Sequence, residues 1–318
     1  MTKDHLISIV VCAYSLKRLN DTINCIETLL YNNYVNLEII VVIDGHEDLK
    51  QKIKSKFKDI DKVSIIGSDI DEGPSIARNR GIEYSRGDII AFVDDDAYVP
   101  VDWLERIVKT FRDYPDIISV GGKLLPVYGN GSHKLPEELL WIVGCTYKGH
   151  AESKQFVRNV ISANMAVKKD IFKEVNFGTM YDISDKKKKN RSFVPIKDLE
   201  DTLFCIKINN KKSNAILYDP EIIAYHNVPE DRLSIGYIIK RTFSEGILKA
   251  KLNSLKIGNS SKVLSYEQNY LNILLMSIIK KFYMLRIRDG MLLSLTIFFV
   301  MSGYIYGYIS DGYLGNKR

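Results

Sequence analysis

Cysteine is scarce in this chain, and its four residues, Cys12, Cys25, Cys145 and Cys205, include no C-x-x-C pair. That excludes a zinc site or dithiol centre of the usual spacing and leaves reduced thiols in a cytosol-facing protein. A secretory leader is also missing. The opening MTKDHLISIVVCAYS has an apolar run too short for a signal core and no small-residue cleavage site, so the chain is expected to start in the cytosol. No internal repeat is seen. Lys and Arg number 45 against 39 Asp and Glu, a net charge of +6, but they are dispersed. With no nucleic-acid module, DNA and RNA are not expected partners. What remains is 318 residues of ordinary globular composition, 46% hydrophobic and 26% charged, enough for one large domain or two small ones.

Apolar runs at 6–14, 37–45, 62–67 and 88–94 read as buried strands of a parallel sheet. Between them lie helical patterns at 18–33, 46–60 and 73–87, the last opened by Gly73-Pro74, where proline is tolerated in a first turn. This alternation predicts an α/β domain with a mainly parallel sheet and flanking helices. Farther on, 101–115 reads as a helix, 157–172 as a strand leading into a helix, and 198–211 as a helix with an acidic first turn, which the helix dipole favours. The basic run 185–191 is either a solvated loop or a segment attracted to anionic lipid.

The C-terminus differs in kind. MLLSLTIFFVMSGYIYGYI, 291–309, carries no charge, and at 1.5 Å per residue its length of about 28 Å approaches a bilayer core. Lys280, Lys281, Arg286 and Arg288 precede it, and Tyr304, Tyr306 and Tyr308 crowd its far end, as in a helix anchored from the cytosol. It is expected to be a single transmembrane helix at the cytosolic face of the cell membrane; a core helix is the alternative. The stretch 270–287, broken by Lys280-Lys281, looks interfacial.

Three consecutive aspartates, Asp94, Asp95 and Asp96, follow the fourth strand, and Asp44 ends the second. Ligands of open α/β sheets bind outside the carboxyl ends of the strands. Crowded carboxylates there need a cation, and a hard divalent ion, Mn²⁺ or Mg²⁺, takes oxygen ligands and brings phosphates with it. The cluster therefore predicts a metal–diphosphate site, with a solvated acidic turn as the bland alternative.

ISIVVCAYS, EIIVVIDG, GPSIARNRGIEYSRGDIIAFVDDDA and LEDTLF, in that order, resemble glycosyltransferase family 2, enzymes of the GT-A fold that use nucleotide-diphosphate sugars. The tail 226–250 with SGYIYGY is similar to archaeal membrane-associated members of the glucosyl-dolichyl-phosphate glucuronosyltransferase type. The resemblance implies that Ala13 and Tyr14 line the nucleobase pocket. It has Asp44 accepting a hydrogen bond from the base and Arg78 lying near the base and the first aspartates. Asp94 and Asp95 would approach ribose and diphosphate, and Asp96 would hold the metal. It makes the aspartate of the pair Glu200-Asp201 the general base; Lys197-Asp198-Leu199 departs from the family pattern and leaves Asp198 as the alternative. His226 either completes the metal shell, touches diphosphate or is structural. Asn164 is implied to contact the donor sugar, and Arg241 pairs with a lipid phosphate or is a surface residue.

The expectation is an inverting, metal-dependent transferase moving a sugar, UDP-linked by family habit, to a dolichyl- or polyprenyl-linked glycan. Its domain would span 1–228, followed by a helical juxtamembrane region at 229–290 and the membrane helix at 291–309. A polyprenyl-phosphate sugar synthase and a cell-surface polysaccharide glycosyltransferase are the alternatives. Without a Q-x-x-R-W motif, a processive synthase is disfavoured.

Overall fold

In the computed structural model, which describes residues 5–131, 133–178, 199–254 and 265–315, the four apolar runs are strands β1 (Ile7–Ala13), β2 (Leu37–Asp44), β3 (Val63–Ser68) and β4 (Ile89–Asp94). They pair in parallel in the order β3-β2-β1-β4, with Val10 opposite Ile40 on one side and Phe92 on the other. Every residue of β2 is buried, which is why it reads as continuous apolar sequence rather than an alternation. Helices α1 (Leu19–Leu30), α2 (Glu47–Phe57) and α3 (Pro74–Tyr84) connect these strands. Of α1, Thr22, Cys25, Ile26 and Leu29 are buried, a stripe at helical spacing. Helix α4 (Trp103–Asp113) follows, burying Trp103, Leu104, Ile107 and Phe111.

Beyond β4 the sheet turns antiparallel. β8 (Met165–Lys168) runs against β4, then come β6 (Ser119–Tyr128), β9 (Ile216–Val228) and the short β5 (Ala97–Tyr98), with β7 (Gln155–Phe156) also on β9. The segment 157–172 thus holds a 3₁₀ turn, Ser162–Asn164, a strand of four residues, and the start of a second 3₁₀ turn, Lys169–Lys173, in place of the α-helix start that the sequence suggests. Helix α5 (Glu200–Lys211) begins at the acid pair. The four cysteines are free; Cys25, Cys145 and Cys205 are buried and Cys12 is half-buried.

Where β6 and β9 meet, a Cβ on Gly122 would lie 1.8 Å from the Ile222 carbonyl oxygen and 2.7 Å from Asn164 Nδ2. Gly122→Ala must push these strands apart and is expected to destabilise by about 1–3 kcal/mol or more, seen as an earlier thermal melt; an unchanged melt would show that the strands are free to separate there.

The residues divide into two compact units. One holds residues up to Leu125, those from Ser153 to 178 and those from 199 to Asn227; the other holds Pro126–Glu152 and the described residues from Val228 onward. The second unit contains helices α6 (Ile235–Ser254), α7 (Ser265–Tyr283) and α8 (Ile287–Gly315). Within it α6 and α8 touch through glycines: a Cβ on Gly246 would lie 2.0 Å from the Val300 carbonyl oxygen, and one on Gly303 2.0 Å from that of Phe243. Gly303-x-x-x-Gly307 presents two small residues on one helix face, a pattern that lets backbones approach. Residues 291–309 lie within α8, whose stretch Ile287–Ser310 is long and apolar enough to cross a membrane by length and composition.

Candidate functional site

The site is assembled at the carboxyl ends of β1, β2 and β4. Asp44 closes β2 and is buried. Its two carboxylate oxygens accept from the backbone N–H groups of Glu72 (3.0 Å) and Gly73 (2.8 Å). Burial raises its pKa, although these two hydrogen bonds pull the other way. Gly73 has φ 89°, a conformation glycine adopts without steric cost, and Pro74 then opens α3. Asp44 thus holds the loop that aims α3, and with it Arg78, at the site.

Arg78 is 9% exposed and faces both acid sets. Nη2 stands 3.5 Å from Asp94 Oδ1, while Nη1 stands 3.6 Å from Glu200 Oε2 and 3.7 Å from Asp201 Oδ1. The Phe177 ring lies under the guanidinium, 5.5 Å away. Glu200 is nearly buried, with 8% of its side chain exposed, against 28% for Asp201. Asp201 Oδ2 accepts from the Ser162 N–H at 2.9 Å. Of the acid pair, Asp201 is therefore oriented and accessible, and Glu200 is packed against the arginine. Asp198 lies outside the described residues, as does the basic run 185–191.

Past β4 the chain turns, and Ala97-Tyr98 pairs with β9 so that Ala97 is opposite His226 and Tyr98 opposite Tyr225. The two tyrosine rings stack, and the Asn227 N–H donates to the Asp96 carbonyl at 2.9 Å. This register brings His226 Nε2 to 3.1 Å from Asp96 Oδ1. Asp94, Asp96 and His226 each offer one ligand atom, all within 4.8 Å of one another.

Asp95 and Asp96 are 2% and 3% exposed. Arg18 Nη1 reaches Asp95 Oδ1 at 2.8 Å and Asp96 Oδ2 at 3.0 Å. Burial pushes the Asp95 carboxyl well up and neighbouring Asp96 adds to the rise, against the pull of Arg18. Burial likewise raises Asp94, which Arg78 opposes. Asp95 Oδ2 is buried with no hydrogen-bond partner among the described residues. The convergent set of Asp94, Asp96 and His226, with buried Asp95 adding negative charge beside it, fits a divalent cation. Cys12, opposite Asp94 in the β1–β4 ladder, adds no charge: burial pushes its thiol up to about 12.

The remaining expected residues fall as follows. Tyr14, just past β1, is 53% exposed and carries Arg18 over its ring at 5.5 Å. Ala13 is buried and paired with Ile43. Asn164 is 1% exposed: its Oδ1 accepts from Trp103 Nε1 at 2.8 Å, and Nδ2 donates to the carbonyls of Lys123 and Ile222. It ties α4 to β6 and β9, so its hydrogen-bonding atoms are committed inside the fold rather than offered to a sugar. Arg241, in the second unit, pairs with Glu245 at 2.8 Å and lies over Trp141. Two features escaped the sequence reading: Arg18 as the counter-charge to Asp95 and Asp96, and Asp94 as a partner of Asp96 and His226. A basic residue in the turn after β1 was the one available signal for Arg18.

Comparison with known proteins gives the family and the fold. The family model described as glycosyl transferase family 2 matches residues 8–175. The glucosyl-dolichyl phosphate glucuronosyltransferase of Haloferax volcanii is 31% identical over 250 residues, 78% of either chain. Among solved structures, the mannosyltransferase PcManGT from Pyrobaculum calidifontis in complex with GDP-Man and Mn²⁺ superposes with a TM-score of 0.56 over 100% of this chain and 89% of its own, at 16% identity. S. aureus TarS 1-349 in complex with UDP-GlcNAc gives 0.52 over 96% and 91%, also at 16% identity. At such identity these two structures speak to the fold, which is GT-A. By sequence and by architecture the chain is a glycosyltransferase and belongs to glycosyl transferase family 2.

Proposed function

We propose that this protein moves a sugar from a nucleotide-diphosphate donor, UDP-linked, to a hydroxyl of a dolichyl- or polyprenyl-linked sugar at the cytosolic membrane face, inverting the anomeric centre in one displacement. The observation that carries the reading is that one guanidinium, Arg78, stands between an Asp-Asp-His cation site and an accessible, oriented carboxylate. The acceptor follows the activity named for the Haloferax relative. The catalytic domain in this reading ends near residue 228.

Asp94, Asp96 and His226 would hold the divalent ion, which supplies Lewis-acid stabilisation of the departing nucleoside diphosphate. Tyr14 offers an exposed ring to the nucleobase beside β1. Asp44 acts by fixing the loop before α3 as well as by facing the base. Asp95, held by Arg18, directs the ribose and diphosphate side. Ser162 N–H fixes Asp201 Oδ2, which leaves Oδ1 to take the acceptor proton. As that proton leaves, the acceptor oxygen bonds to the anomeric carbon and the bond from that carbon to the diphosphate oxygen breaks. Glu200 keeps Arg78 in place.

Membrane fractions carrying the chain, supplied with a panel of nucleotide sugars and Mn²⁺ or Mg²⁺, are expected to form a lipid-linked product detectable by mass. Transfer that survives full chelation would end the metal assignment. Independently of turnover, Mn²⁺ is expected to raise the melting temperature of the wild-type chain, by an amount equivalent to about 2.7 kcal/mol at a hundredfold excess over Kd. In Asp96→Asn this gain should vanish. An equal shift in both proteins would place the ion elsewhere.

A further inference from the structure

In the second unit the apolar residues are distributed in a way that water does not explain. Among the described residues, Tyr283 (88%) and Leu285 (82%) are the most exposed large apolar side chains. Both lie at the connection between α7 and α8, and Leu285 is held at φ 57°. A solvent-facing turn in the left-handed region is ordinarily built from glycine or asparagine. Here a leucine carries both the backbone strain and the full exposure. Lys280, Arg286 and Arg288 surround this tip and are exposed. From the tip, exposed apolar stripes continue along both helices: Met276 and Ile279 on α7, and Met291, Phe298 and Ile305 on α8 at seven-residue intervals.

The opposite side of α8 is closed by α6, and the character of α6 decides between crossing a bilayer and lying in it. Gly246 meets α8 at Val300 and Gly303, close to the middle of the apolar stretch Ile287–Ser310. Alongside that contact α6 carries a ladder of charges. Arg241 and Lys249 pair with Glu245 at 2.8 and 3.1 Å, and Lys249 reaches Glu267 of α7 at 2.9 Å. Asn253 Nδ2 approaches the Tyr304 hydroxyl at 3.2 Å. If α8 crossed the membrane, the three charges of α6, and Glu267 of α7 with them, would be drawn to acyl-chain depth, where charged side chains are costly. If α8 lies along the surface, its apolar stripe enters lipid while the ladder stays at the water side.

We infer that this unit binds one leaflet of an anionic membrane in plane: the α7–α8 tip and the two stripes insert among the acyl chains, Lys280, Arg286 and Arg288 meet the headgroup phosphates, and α8 does not cross. Exposed apolar area flanked by basic residues is the chemistry of an interfacial helix pair. This replaces the transmembrane helix expected from hydropathy, and it rests on the proposed function only for the use the surface is put to, the capture of a lipid-linked acceptor.

The test uses the full chain with epitope tags at both ends in sealed membrane vesicles of known sidedness. External protease is expected to remove both tags in one orientation and neither in the other; tags on opposite faces would overturn the inference. In a second measurement, Tyr283→Asp with Leu285→Asp should weaken binding to phosphatidylcholine vesicles containing phosphatidylglycerol by about tenfold or more, and vesicles lacking phosphatidylglycerol should bind the wild type less well. Binding unchanged by the double substitution, or a wild-type chain that dimerises instead of binding vesicles, would also overturn it. Hydrolysis of nucleotide sugar in detergent is read on the same proteins. Its retention by the double variant separates failure at the membrane surface from failure of the catalytic reading.

Discussion

Asp201→Asn is expected to lower lipid-linked product formation by about 10²–10⁴-fold, the usual contribution of a general base, while leaving nucleotide-sugar binding unchanged. The amide keeps the shape and can still accept from Ser162 N–H through its oxygen, but it cannot take the acceptor proton. Because Asp201 is more exposed than Glu200 and its one hydrogen bond, from Ser162 N–H, falls on Oδ2 while Arg78 stands 3.7 Å from Oδ1, the loss should fall on kcat. Glu200→Gln, which disturbs the seat of Arg78, should affect donor binding as well. Single-turnover product formation set against equilibrium donor binding separates the two. A near-normal rate in Asp201→Asn would remove the base assignment and favour an acceptor phosphate, already ionised and needing no strong base, as in a polyprenyl-phosphate sugar synthase.

Arg78→Met should produce a large loss of stability, because one side chain serves both acid sets. Removing one partner of a buried ion pair costs about 3–5 kcal/mol when no water reaches the survivor. Here Asp94 and Asp201 keep 39% and 28% of their side chains in contact with solvent, so roughly 2–4 kcal/mol is expected. The loss has a pH signature. Partial desolvation raises the Asp94 pKa, against the pull of Arg78, so between its unfolded and folded pKa values the folded chain binds the extra proton and stability falls as pH rises. Without Arg78 that window widens upward, and the deficit of Arg78→Met relative to wild type should shrink on acidification. Thermal melts across the weakly acidic range check this. Arg78→Lys should recover part of the stability but not the transfer rate, because an ammonium cannot face two acid sets at once. A melting deficit independent of pH would show that the arginine acts through packing on Phe177.

Much of the catalytic unit is legible from local pattern because its determinants are local. A strand buried on both faces must be apolar throughout, so β1, β2 and β4 declare themselves, and charged residues at their ends mark where a ligand enters. Gly73-Pro74 announces the start of α3, and one turn later Arg78 follows. The acid pair at the head of α5 is visible for the same reason. The antiparallel half is less legible. β8 is four residues long, too short for a period to show, and is defined by its neighbours β4 and β6 rather than by its own composition. Asn164 illustrates the limit: a polar residue beside a site looks available in sequence, and only its three internal hydrogen bonds reveal that it is spent.

By itself the sequence determined that this is a nucleotide-sugar-type α/β domain with clustered acids at the strand ends and an apolar C-terminal helix. Tertiary structure alone decided which acids converge and with what. His226 reaches Asp96 because β5 and β9 pair at one register across more than a hundred residues, and no local rule encodes that pairing. The in-plane placement proposed for α8 rests on packing in the same way. Hydropathy sums a helix over all its faces, whereas the cost of crossing a membrane depends on what is packed against one of them, and here that neighbour is charged.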